Sequence, residues 1–340
     1  MKKLVFLMGI AALAFASCAK DTVKEISNGL AIDFRVAADT RATETTTGNL
    51  QSFYVTALDK NWANYFNDVA FTKVDNYFYS SPAYYWPGDG SALKFYAYAP
   101  ALTDLGVQAT INNEYQKFTG FSPATDITDQ VDFVATIATG SKENEANGVA
   151  LNFAHQLSQI QIKAKNANAG YVYTVGGVMI ANVVSKADFD FYNLSVSGAN
   201  PWYLDQSSTQ TYTVYTEDRV LDVYGKDLML TEGDNAMLLP QQLAAWDPED
   251  VQSTGAYLAV YANVYTADGA KVFPTDGSKT YDWLRVPVDT KWEAGYKYVY
   301  TLDFSNGAGY SEDGPVLGDP IKFSMQVTPW EEKTVDAVAE

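Results

Sequence analysis

Val, Ile, Thr, Tyr and Phe recur along this chain in short runs that alternate apolar with polar residues. Turn signals such as Trp86-Pro87-Gly88-Asp89-Gly90, Asp268-Gly269 and Asp276-Gly277 cut those runs. A period of two suits a half-buried strand and leaves a helix without a continuous apolar stripe, so the alternation predicts antiparallel β-structure with few helices. Strands are expected over residues 30–37, 52–58, 93–98, 131–137, 151–155, 160–164, 171–180, 212–215, 257–265, 296–304 and 321–327. So many short strands, with no self-similarity at the 20–50-residue periods of solenoids and propellers, point to β-sandwiches. The polar stretch Gly140-Ser-Lys-Glu-Asn-Glu-Ala-Asn-Gly148 interrupts the pattern near the middle. Division there gives a leader over 1–17, an N-terminal β-sandwich domain over 18–147 and a C-terminal β-sandwich domain over 148–340.

Composition narrows the function. The 340 residues are 47% hydrophobic and 14% aromatic, enough to fill two cores. A net charge of -18 repels nucleic-acid backbones, so no nucleic-acid partner is expected. One histidine and one cysteine leave little for nucleophilic or zinc chemistry, which needs such groups converging from several positions. His155 is in phase with Val149, Leu151 and Phe153, so a hydrogen-bonded residue on a strand's inner face is expected there rather than a catalyst. The acids are scattered, and no phosphate loop or spaced metal motif is visible. No enzyme activity, cofactor or metal is expected.

The single cysteine, Cys18, stands where the apolar run Leu4 to Phe15 gives way to Ser17-Cys18-Ala19-Lys20-Asp21. Lys2 and Lys3 precede that run, which is too short to span a bilayer, and Ala16 and Ser17 are small enough for a peptidase pocket. Cys18 is the expected lipid attachment point and new N-terminus, and the lipid the only tie to a membrane.

Two strands, one at each end, share a pattern. Leu30, Ile32, Phe34 and Val36 fall on one face of the first, with Ala31, Asp33 and Arg35 on the other. Near the C-terminus, Ile321, Phe323, Met325 and Val327 are expected inward, with Lys322, Ser324 and Gln326 outward. Four such side chains contribute roughly 6 to 12 kcal/mol gross on burial, so loss of either strand leaves a substantial slot, with backbone groups in want of a partner. After the first strand comes the polar, small-residue stretch 38–48, whose only basic residue is Arg41. The chain has four arginines, at 35, 41, 219 and 285, and Arg41 has the context most open to a protease.

The order of several short motifs carries a family resemblance. Ser17-Cys18, then Thr40-Arg41-Ala42-Thr43 before Ser52-Phe53-Tyr54-Val55, then Tyr84-Tyr85-Trp86-Pro87 before Leu93-Lys-Phe-Tyr-Ala-Tyr-Ala-Pro100 occupy the first half. Leu151-Asn-Phe-Ala-His-Gln-Leu, Leu238-Leu-Pro-Gln241, Lys291-Trp-Glu-Ala-Gly-Tyr and Ile321 to Trp330 follow. Over nearly its full length the chain resembles the fimbrillins of Bacteroidales, the Mfa-like and FimA-like subunits of type V pili. That resemblance implies two transthyretin-like antiparallel β-sandwich domains, export as an outer-membrane lipoprotein, and a cut by an arginine-specific extracellular protease. It further implies that removal of the first strand opens a groove which a neighbour's C-terminal strand fills, giving a head-to-tail homopolymer with tip and anchor proteins at a cell-surface fimbrium. On this sequence the cut falls between Arg41 and Ala42, the displaced strand carries Leu30, Ile32, Phe34 and Val36, and the donor strand carries Ile321, Phe323, Met325 and Val327.

Other readings compete. The aromatic content also suits a surface lipoprotein that binds glycans, with Trp62 and Trp202 as residues to probe. A fimbrial tip or anchor subunit is a variant of the first reading, and a carboxylate-only glycosidase is a third reading that no particular residue supports.

Overall fold

The computed structural model describes residues 31–36, 50–229, 235–250 and 252–329. Cys18, Leu30, Arg41 and Ala42 therefore lie outside the described residues. Among those described, strands dominate and the helices are short: one α-helical turn, Leu102–Leu105, and three 3-10 turns, Ile127–Asp129, Lys142–Asn144 and Phe191–Ser195. The fold is all-β, as the alternation predicts.

Eight strands form the N-terminal sheet, in the spatial order Ala154–His155, Val134–Gly140, Leu93–Ala99, Ser52–Leu58, Asn64–Val74, Tyr77–Ser80, Phe34–Val36 and Val149–Leu151. Hydrogen-bonded pairing thus continues past residue 147 into 149–151 and 154–155. Two central strands are buried on both faces, which explains their near-continuous apolar runs. Phe53, Val55, Phe95 and Ala97 point into one core, and Tyr96 and Tyr98 into a second. The second core is closed by a four-stranded sheet, Trp202–Leu204, Ala187–Asp190, Gln116–Phe121 and Gln108–Ile111, so chain from beyond residue 180 pairs with chain before 122.

The remaining strands build a sandwich. One sheet orders Thr209–Val220, Tyr171–Val184, Tyr257–Thr266, Asp282–Pro287, Gly307–Ser311 and Gly314–Gly318, with Lys271–Phe273 pairing Tyr257–Thr266 at the side. The other orders Lys226–Asp227, Ser158–Lys165, Tyr296–Asp303 and Lys322–Pro329, with Ala236–Leu238 beside Ser158–Lys165. Ile160, Ile162, Tyr300 and Leu302 from the second meet Val175, Val178, Leu258, Val260 and Leu284 from the first in one buried cluster. Among the described strands, pairing is antiparallel except between Ser158–Lys165 and Tyr296–Asp303 and between Phe34–Val36 and Val149–Leu151, and an isolated bridge joins Ala245 to Ala256 in parallel.

Asn64–Val74 is a strand that its sequence does not announce. Asn64, Asn67 and Asp68 interrupt the alternation, and register shifts opposite Val55, Ala57 and Leu58, with a φ of 48° at Asp68, absorb them as bulges.

Candidate functional site

The first strand lies inside its sheet rather than along an edge. Phe34 pairs antiparallel with Phe78 on one side, while Phe34, Arg35 and Val36 pair parallel with Val149, Ala150 and Leu151 on the other. Ile32 N–H donates to the Tyr84 carbonyl at 2.7 Å, and Val149 N–H donates to the Asp33 carbonyl at 3.0 Å. Ile32 and Phe34 are fully buried, Val36 is half-buried and Arg35 is exposed, so the expected alternation holds at every described position. The Phe34 ring stands edge-on to Phe71 at 4.7 Å, Phe95 at 5.0 Å and Phe53 at 5.8 Å. Each such pair adds about 0.5–1.5 kcal/mol to the area term, which makes this ring the anchor of a short strand. Without residues 31–36, strands Tyr77–Ser80 and Val149–Leu151 face each other across a slot lined by phenyl rings.

The roles of three residues around this strand, Asp33, Tyr79 and Gly148, are not visible in the sequence. Asp33 points away from the core, yet partial burial raises its carboxyl above the usual range, against hydrogen bonds from the backbone and the Tyr79 hydroxyl. Tyr79 is raised as well, by burial first and then by the charges of Asp33, Tyr77 and Asp75. Gly148 has a φ of 66°, and a Cβ there would lie 3.1 Å from the Asp33 carboxylate, so the turn into Val149–Leu151 needs glycine. A glycine ending a polar loop is the only sequence signal for it.

Among the described residues, Lys322–Pro329 forms the edge of its sheet, paired over its full length with Tyr296–Asp303 alone. The expected inward face is only partly inward. Ile321 is buried and Phe323 is half-buried, its ring 5.7 Å from Tyr300, but Met325 is 38% and Val327 43% exposed. Among the described residues the opposing layer packs against the first two positions and not against the last two, so the side chains share a face as expected but that face is covered only in part. The backbone N–H and C=O groups along an exposed edge are a ready template for pairing with another chain, and the apolar face adds side chains that such pairing could bury.

Other candidate residues have structural duties. His155 is buried, its Nδ1 2.9 Å and 3.0 Å from the two carboxylate oxygens of Asp132, the hydrogen-bonded role its sequence phase suggests. Trp202 is fully buried and its Nε1–H donates to the Gln156 carbonyl at 2.7 Å, so it cannot present a face to a sugar. Trp62 is exposed, with the Lys94 ammonium 5.1 Å from its ring centre. A cleft of about 630 Å³ beside the first strand is lined by Tyr65, Tyr84, Tyr85 and Trp86, and Lys60 and Asp89 on its wall pair with each other at 2.6 Å. Among the described residues no group of three or more His, Cys, Asp or Glu is placed to hold a metal, and no helix is long and apolar enough to cross a membrane.

Comparison with known proteins gives the same outline. A family model described as fimbrillin-like matches residues 40–330. A crystal structure of a fimbrial protein from Bacteroides vulgatus superimposes with a TM-score of 0.63 at 15% identity, covering 88% of this chain and 99% of that one. One from Bacteroides uniformis, assigned to cell adhesion, gives 0.51 at 17% identity over 89% and 98%. At such identities the likeness is one of fold. No curated protein matches the sequence.

Proposed function

This chain belongs to the fimbrillin-like family and is a structural, non-enzymatic protein, and from that premise we propose that it is a subunit of a cell-surface fimbria which polymerises by exchanging its first strand for a neighbour's last. In this reading it is exported as a lipoprotein on Cys18, reaches the outer membrane, and is cut after Arg41 by an arginine-specific protease. The segment ahead of Ala42 then leaves, and Ile321 to Val327 of the next copy enters the slot. In this reading the receiving slot belongs to the N-terminal sandwich, whose sheet runs past the 147/148 boundary to take in Val149–Leu151, and the donor strand belongs to the C-terminal one.

The observation that carries this reading is the placement of the two strands. One is short, interior and anchored by a single ring, so its loss opens a slot between two strands that already have their hydrogen-bonding edges aligned. The other is an edge strand whose Met325 and Val327 lack an opposing layer, so their transfer into a slot adds burial that the monomer does not have. Strand addition uses main-chain bonds for affinity and alternate side chains for register, and both strands present the needed alternation. Donor and acceptor are different surfaces of one molecule, so the contact is heterologous and extends as a filament with tip and anchor subunits at its ends.

Limited trypsin treatment of the purified chain, followed by N-terminal sequencing and gel electrophoresis in mild detergent, tests it. A new terminus at Ala42 with ladders of increasing mass is expected. Verified cleavage that leaves only monomers sinks the proposal.

A further inference from the structure

The geometry points to one alignment for the incoming strand: Phe323 of one copy takes the place of Phe34 in the next, with Ile321 at Ile32, Lys322 at Asp33, Ser324 at Arg35 and Met325 at Val36, in the direction of the displaced strand. This rests on the strand exchange proposed above and specifies its register.

The socket of Phe34 is closed on all sides by Phe53, Phe71 and Phe95, and Phe323 is the only aromatic residue in 321–328. Ile32 is likewise fully enclosed, and in this register another isoleucine replaces it. Sliding the strand two positions, so that the two four-residue faces match end to end, puts Phe323 into the isoleucine site and Met325 into the phenyl site. The first overfills a closed space and the second underfills one, and both distortions are destabilising. Slippage by one residue turns the whole apolar face to solvent.

Shape discriminates the direction of insertion as well. The Asp33 side chain points away from the core beside the Tyr79 hydroxyl, and Lys322 falls on that outward face in this register. Reversing the strand about Phe323 instead puts Met325 into the fully enclosed Ile32 site, Ile321 at the half-buried Val36 site and Lys322 at the exposed Arg35 site. The exposed Arg35 position accepts Ser324 without cost.

Cross-linking reads the register directly. Arg35 is paired with Ala150 and both are exposed, so Ser324→Cys together with Ala150→Cys in one chain places the two thiols of neighbouring subunits opposite each other in the filament. The sequence's only other cysteine, Cys18, precedes the cut at Arg41. Oxidation of assembled filaments should give covalent ladders with this pair, and none with Lys322→Cys or Gln326→Cys combined with Ala150→Cys. Ladders from either of those pairs instead overturn the register and leave strand exchange standing. Filaments that form but yield no covalent ladder from any pair overturn insertion into this slot altogether. A synthetic peptide of residues 319–329 gives a reading that does not depend on variant folding. Added to freshly cut protein it should block chain growth, with Phe323→Ala weakening it by more than about tenfold and Met325→Ala by less, as expected for an anchor side chain in a closed pocket. The opposite ranking overturns the register.

Discussion

At the level of single residues, Phe34 carries the attachment of the first strand. Truncation by Phe34→Ala in the uncut chain should cost about 3–5 kcal/mol, seen as a lower urea midpoint, because the surrounding rings cannot all collapse into the space. The same variant should assemble normally after cleavage, since the residue has then left. Asp33 adds a pH term whose sign follows from the direction of its shift. Its carboxyl is raised by burial, so the folded chain holds the proton more tightly than the unfolded one. That contribution is complete below the ordinary carboxyl range and is lost as pH rises through the elevated value. Compared with the wild type, Asp33→Asn should therefore gain urea resistance as pH goes from about 3 to about 7. A difference that shrinks over that interval contradicts the assignment. Gly148→Ala, at a φ of 66°, should lose about 1–3 kcal/mol through backbone strain and crowding of Asp33.

At the level of elements, the decisive contrast lies between an interior strand of three paired residues and an edge strand of eight. Both carry the same alternation, and the structure gives them opposite environments. Met325 and Val327 are exposed in the single chain, so Met325→Asp with Val327→Asp should change its unfolding free energy by no more than about 0.5 kcal/mol per site. The same pair should abolish filament growth after cleavage, because two charges would then enter an apolar slot without partners. Thermal melts and sedimentation of one preparation separate the two effects. A double variant that polymerises like the wild type removes Lys322–Pro329 as the donor.

Across the whole molecule, the net charge is -18 for the full sequence and, once six basic and four acidic residues leave with 1–41, -20 for the cut chain, so every copy repels the next. Chain growth of the cut protein should therefore accelerate between about 0.01 M and about 0.15 M salt, as the screening length falls from about 30 Å to about 8 Å, and light scattering would follow it. Rates insensitive to salt would mean that the joining surfaces are locally neutral. Sequence alone determined the all-β class, the faces of most strands, the inner-face role of His155 and the alternation of Ile32, Phe34 and Val36, because a period of two is a local property of the chain. It could not show that the first strand is interior, that Phe53, Phe71 and Phe95 enclose Phe34, or that strands after residue 180 pair with strands before 122, since those neighbours are distant in sequence. Nor could it show that Met325 and Val327 face solvent or that Trp202 does not. Alternation marks which side chains share a face, and only the packing of one layer on another decides whether anything covers it.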